Sequence, residues 1–136
     1  MTRRVRVWGP AWAMMGLIFG LSSMSQLPRV PGVFEDDGVT HAVAYGVLAA
    51  LLLRGLAGAR WHRVRVDVAW LAVLLATLYG VTDEVHQRFV PGRTAELSDL
   101  IADAVGGAAA AGLSLVWAWQ LARRASRRAK TGTVSN

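Results

Sequence analysis

Cysteine is absent from the chain, which excludes disulfide frameworks, thiolate metal sites and cysteine nucleophiles together. Charge is scarce: 18% of the 136 residues are Asp, Glu, Lys or Arg, against 54% that are hydrophobic. There is no P-loop, no H-E-x-x-H helix and no nucleophile motif. Internal repeats are also missing, which leaves a monomeric transporter without its usual construction. The length allows one domain. Six tryptophans and the apolar content exclude a disordered chain. Acidic residues number 9 against 15 basic ones, giving a formal net charge of +6 and a pI near 11.3. So basic a balance raises nucleic acid as a partner, and the placement of the charges decides whether that reading stands.

The charges lie between long apolar runs. Residues 7–28, 38–53, 68–82 and 104–122 contain no Asp, Glu, Lys or Arg. A bilayer core about 30 Å thick is crossed by roughly 20 apolar helical residues. The first and last runs meet that length unaided, and the middle two meet it by admitting a polar residue near one end. A soluble four-helix bundle would show a polar face on each helix, and residues 71–78 and 104–116 have none. The expected fold is therefore all-α, a four-helix transmembrane bundle with spans at about 7–25, 38–58, 66–86 and 99–122. These form one membrane domain over 1–128, followed by a disordered polar tail at 129–136. Arg3, Arg4 and Arg6 before an apolar stretch also suit a signal peptide, but Ser22 to Gln26 offers only a weak cleavage site and three more spans follow. The first segment is expected to remain as a span.

Twelve of the fifteen basic residues fall on one side of such a bundle. They are the arginines at 3, 4 and 6, those at 54, 60, 63 and 65, and the cluster from Arg123 to Lys130. Only Arg29, Arg88 and Arg93 fall on the other side. The positive-inside rule places the twelve, and with them both termini, in the cytoplasm. Trp8, Trp61, Trp70, Trp117 and Trp119 line the same boundary, as an interfacial belt does. The basic clusters are thus explained by topology and by contact with anionic membrane lipids, and nucleic acid is dropped as a partner.

Eight of the nine acidic residues take the opposite, outer side, with Asp67 the exception. Ionisable groups at helix ends within lipid are costly unless paired or facing a wet cavity. Asp37, His41 and Tyr45 recur four apart, on one stripe at the outer end of the second helix. Glu84, Gln87 and Arg88 are grouped at the outer end of the third, and Asp99 and Asp103 are one turn apart at the start of the fourth. Between them Pro91-Gly92 sets a turn before Arg93. Three helix ends therefore bring carboxylates, an imidazole, a phenol and a guanidinium to one depth. Plainer roles stand beside this one. Asp99 would suit a helix N-cap. Asp103 could be a structural partner of Arg93 or His41. Arg93 would serve as counter-ion to Asp99 and Glu84. His41 and Tyr45 could form a buried hydrogen-bonded pair, and His86, beside the loop, is expected to be solvated. The small-residue faces at Gly16/Gly20, Gly46/Ala50 and Gly106 to Gly112 suit close helix approach in lipid, within the chain or between chains as a homo-oligomer.

The segments Asp37-x3-His41-x3-Tyr45 and Glu84-x2-Gln87-x-Phe89-x-Pro91-Gly92-Arg93-x5-Asp99-x3-Asp103-x2-Gly106 resemble the VanZ-like family of small bacterial membrane proteins. The resemblance covers roughly residues 22–112. It implies a multi-pass protein of the bacterial plasma membrane, and the family's founding member is associated with low-level resistance to the lipoglycopeptide teicoplanin. The matching positions are Asp37, His41, Tyr45, Glu84, Gln87, Arg93, Asp99 and Asp103. Two positions depart from the family pattern: Gly38 stands where a lysine usually follows the aspartate, and Asp103 where asparagine is common. The second adds a negative charge and makes a divalent cation at Glu84, Asp99 and Asp103 more accessible chemically, although no cofactor is required by the pattern.

Two function classes follow from this outer cup. The first is a non-enzymatic envelope protein that binds the head of an amphiphile, such as a lipid-linked precursor or a lipoglycopeptide, with Arg93 suited to phosphate or carboxylate. A cup rich in carboxylates repels an anion unless a cation intervenes. The second is an intramembrane hydrolase or transferase acting on lipid-linked substrate, using the carboxylates as metal ligands or acid and base, and His41 as proton shuttle. The missing nucleophile motif favours the first.

Overall fold

Each apolar run folds into a helix. The computed structural model describes residues 2–25 and 37–132. Helix α1 is Arg3–Ser22, α2 is Asp37–Leu56, α3 is Val66–Gln87 and α4 is Leu97–Gly132, with a single 3₁₀ turn at Trp61–Arg63. No strand occurs among the described residues. The twenty residues of α1 and of α2 each rise about 30 Å, whereas the 36 residues of α4 rise about 54 Å. Beyond the expected span, α4 continues through the basic cluster to Gly132, so its last turn occupies the start of the expected tail. Arg29, Glu35 and Asp36, expected on the first outer loop, and residues 133–136 of that tail lie outside the described residues.

Three helices, α2, α3 and α4 as far as Arg128, are long and apolar enough to cross a membrane. Although α1 is long enough, it falls short in composition. It opens on three arginines and carries Trp8, Gly9, Pro10 and Trp12, which dilute its Leu, Ile, Phe and Met.

The distribution of polarity is inverted relative to a soluble bundle. Val39, Val43 and Val47 on α2, Leu74, Leu78 and Val85 on α3, and Ile101, Val105 and Leu113 on α4 are exposed. The buried positions are largely Ala, Gly and Leu, together with Tyr45, Asp83, Glu84, Gln87 and Asp103. A face of small residues draws helices together by close packing where lipid provides no hydrophobic driving force.

The tightest approach joins α2 and α4, which run parallel. A Cβ on Gly106 would overlap the Ala42 carbonyl oxygen, and one on Gly46 would sit 3.1 Å from the Gly106 carbonyl oxygen. Helix α3 runs antiparallel to both, and α1 packs on α2 and, more lightly, on α3. Among the described residues nothing lies within 4 Å of a Cβ added at Gly16 or Gly20, so the G-x-x-x-G positions of α1 touch no other described helix.

Pro10 lies within α1 and has no N–H for the carbonyl four residues back, that of Arg6. The Arg54 guanidinium of α2 fills that role: Nη1 donates to the carbonyls of Arg6 at 3.1 Å and Val7 at 2.8 Å. At mid-helix the Tyr79 hydroxyl donates to the Met15 carbonyl at 2.7 Å, fixing α3 against α1.

Candidate functional site

The end of α3 and the starts of α2 and α4 converge, with α3 and α4 joined there by a short and strictly shaped connection. The Arg93 N–H closes a turn on the Val90 carbonyl at 3.1 Å, with Gly92 at φ +81°. Pro and a positive-φ glycine at the two central positions are the requirements of a type II turn. Val90 points inward and is buried while Phe89 is 81% exposed, so the turn folds back over the bundle end.

At the centre is His41. Its Nδ1 lies 3.0 Å from Asp103 Oδ1, and its Nε2 lies 3.8 Å from Asp99 Oδ2. Asp103 is fully buried, and its second oxygen rests beside Gly80, where a Cβ would overlap it. The Tyr45 ring is stacked on His41 at 6.0 Å between centroids, with 5° between planes. The expected pair of these two residues is thus a ring contact, and the imidazole's hydrogen bond goes to Asp103 instead. Glu84 closes the group from α3, with Oε2 accepting the Glu96 backbone N–H at 2.9 Å. Single ligand atoms of His41, Glu84 and Asp99 lie within 4.8 Å of one another.

Four buried side-chain atoms among the described residues have no hydrogen-bond partner: Tyr45 Oη, Glu84 Oε1, Arg93 Nε and Asp103 Oδ2. Leaving such a group unpaired costs about 1–3 kcal/mol, and native proteins tolerate few of them. Tyr45, Glu84 and Asp103 stand out by helical spacing, and Arg93 by its place after the Pro91-Gly92 turn.

The remaining expected residues are placed differently. Gln87 is buried away from His41 and donates through Nε2 to Asp83 Oδ2 at 3.0 Å. Asp37 is exposed at the first turn of α2. Arg93 makes no ion pair within 4 Å among the described residues, although its charge acts on Asp99; the imidazole of His41 holds the position between Asp99 and Asp103.

A second polar group, not singled out by spacing, ties α1 to α3. Ser22 Oγ donates to Asp83 Oδ1 at 2.6 Å, and both residues are buried. One position along, Ser23 Oγ lies 3.0 Å from His86 Nε2, and the His86 ring packs 4.5 Å from that of Phe19. His86, expected to be solvated, is a helix–helix contact. The available signal was the Asp83-x3-Gln87 spacing; nothing local in the sequence points from Ser22 to Asp83.

Four helices with carboxylates and a histidine gathered at one end match the pattern of spacings noted in the sequence, and a family model, VanZ/LLP1, matches residues 11–118. The chain belongs to the VanZ/LLP1 family. No curated protein and no solved structure matches it. The family match spans every residue of the His41 group and of the Ser22–Asp83–Gln87 group. A VanZ-like membrane protein with an apolar outer surface therefore carries two adjacent polar groups at one bundle end. Chemically, the His41 group offers a hydrogen-bonded imidazole between carboxylates, suited to moving a proton or binding a cation. The Ser22 group is internally satisfied, as a structural tie would be.

Proposed function

We propose that this VanZ/LLP1 protein crosses the bacterial plasma membrane four times with both termini in the cytoplasm, and that its outer polar cluster binds the head of an amphiphilic envelope ligand. Binding there would modulate susceptibility to teicoplanin-type lipoglycopeptides. The observation that carries the reading is the set of four unpartnered buried atoms on Tyr45, Glu84, Arg93 and Asp103. A polar head group placed against them would satisfy donors and acceptors that cost stability when unpaired. The exposed valines and leucines of α2 and α3 give the ligand's tail an apolar surface beside the site. The orientation is supported by twelve basic residues at the opposite end, where Trp61, Trp70, Trp117 and Trp119 are also exposed.

A second reading, an intramembrane hydrolase or transferase on lipid-linked substrate, is favoured by one feature: His41 is held between Asp103 and Asp99, as an acid–base group is held.

The test expresses the protein in a teicoplanin-susceptible host and compares wild type with His41→Ala, Arg93→Ala, Asp99→Asn and Asp103→Asn at matched membrane levels. The binding reading expects wild type to shift susceptibility and the variants to lose the shift. An unchanged phenotype in all four would end it. Turnover of purified lipid-linked precursors by wild type, lost in His41→Ala, would select the enzyme. Because no cysteine is present, Thr94→Cys should react with an impermeant maleimide added to intact cells. Labelling only after lysis would reverse the orientation.

A further inference from the structure

We propose that His41, Glu84 and Asp99 form a three-ligand site for a divalent transition-metal ion of the zinc type, with Asp103 acting as the positioning residue behind His41. The proposal rests on the reading that this cluster is the working site, and its test detects metal directly, so the two can fail separately.

The ligand set differs from the all-carboxylate one expected from spacing. Asp103 is turned away, with one oxygen on His41 Nδ1 at 3.0 Å and the other beside Gly80. That hydrogen bond leaves the second ring nitrogen, Nε2, facing Asp99 at 3.8 Å. A carboxylate behind a histidine whose other nitrogen faces further ligands is the usual support of a metal-bound imidazole, because it fixes the tautomer and ring orientation. Glu84 supplies an independent sign. It is 8% exposed, its Oε2 is held by the Glu96 N–H, and its Oε1 has no partner.

The distances suit a small ion. Ligand atoms lie within 4.8 Å of one another, and tetrahedral zinc with bonds of roughly 2.0–2.2 Å needs separations of roughly 3.4 Å. Closing that gap takes side-chain adjustments of about 1 Å around the ion. An imidazole among the ligands favours zinc over magnesium or calcium, which take oxygen ligands. Two carboxylates and a neutral histidine balance a doubly charged ion, which removes the repulsion an anionic head group would meet. Three protein ligands leave a fourth position for a phosphate or carboxylate oxygen.

The full chain, purified in detergent with any affinity tag removed and stripped by chelator, is dialysed against Zn²⁺, Mn²⁺ or Mg²⁺ and analysed by mass spectrometry. The expected result is about one zinc ion per chain, with zinc preferred over magnesium. Glu84→Gln, Asp99→Asn and His41→Ala should each lower zinc affinity at least tenfold. Asp103→Asn should lower it by roughly 10–100-fold, and His62→Ala should leave it unchanged. Zinc retained equally by Glu84→Gln and Asp99→Asn would overturn the site. Wild type provides a readout independent of variant folding: Co²⁺ should give visible d–d absorption that Zn²⁺ abolishes, and no such absorption would overturn the proposal. Zinc binding without an effect on teicoplanin susceptibility would uphold the metal and sink the head-group reading. A susceptibility effect in protein that binds no zinc would do the reverse.

Discussion

His41 Nδ1 meets Asp103 Oδ1 at 3.0 Å, in the seam where the Gly106 backbone is pressed against Ala42, so one hydrogen bond and one glycine contact fix α2 against α4 within a turn of each other. Removing one member of a buried hydrogen-bonded pair leaves the other's polar atom unsatisfied, at a cost of about 1–3 kcal/mol. Asp103→Ala should therefore lower stability by that order, measured by unfolding in detergent. Asp103→Asn should lose much less, since its amide oxygen can still accept from His41. His41→Ala combined with Asp103→Ala should fall short of the summed single losses by at least ~0.5 kcal/mol, the coupling expected of touching residues. Strict additivity would show that the bond contributes nothing to holding the helices.

Two glycines test how that seam is built. Gly80→Ala puts a methyl group where Asp103 Oδ2 now lies, and a side chain can swing aside. Gly106→Ala puts it against the Ala42 carbonyl, where only a helix shift relieves it. Overpacking costs about 1–3 kcal/mol, and Gly106→Ala should sit at or above the top of that range with Gly80→Ala below it. Gly80→Ala should also disturb the site while leaving helix content intact. If circular dichroism and unfolding midpoints rank the two variants the other way, the seam is not governed by backbone contact.

The helices and their polar end were legible in the sequence because an apolar run long enough to span lipid has few alternatives to a helix. His41 and Tyr45 were legible together because residues four apart share a face. Asp83 and Glu84 were not separable that way. As neighbours they project about 100° apart on a helix, so one turns to Ser22 on α1 and the other to His41 on α2. Gln87 was grouped with Glu84 by a spacing of three, but its amide reaches Asp83 by a spacing of four. Ser22 and Asp83 are 61 residues apart, and only the packing of α1 on α3 joins them. Arg93 follows a turn, and turn geometry, unlike helical periodicity, does not reveal which charge a side chain will reach.

Ser22 and Asp83 give a third expectation. Their 2.6 Å separation lies in the range of a hydroxyl donating to a charged carboxylate. Such a bond contributes about 1.5–3 kcal/mol. Ser22→Ala should destabilise the protein by that amount while zinc binding at His41 stays unchanged, because Asp83 and Gln87 belong to the neighbouring group. Cysteine or threonine at the position should recover part of the loss only if its side-chain donor reaches Asp83. A Ser22→Ala protein with unaltered unfolding would mean that the contacts of α1 with Tyr79, Arg54 and His86 hold it without this bond.

The contact between Arg54 and the first helix leads to a conditional result. Arg54 donates to the two carbonyls, Arg6 and Val7, nearest the break that Pro10 makes in α1. The Arg6 carbonyl is free because proline has no N–H to offer it. An alanine at position 10 would supply that N–H, and the carbonyl would then have its partner within the helix. In the natural chain Arg54→Ala should cost about 1 kcal/mol, the modest end for a charged donor because the pair is exposed. In a Pro10→Ala background the same substitution should cost less than half as much, since one of the two acceptors no longer needs the guanidinium. Arg54→Lys should restore only part of the loss in the natural chain: a single ammonium keeps the charge but lacks the planar fork that reaches adjacent carbonyls. Equal costs of Arg54→Ala with and without Pro10, read from unfolding in detergent, would show that Arg54 acts only as a basic charge at that end of the bundle and does not repair the helix break.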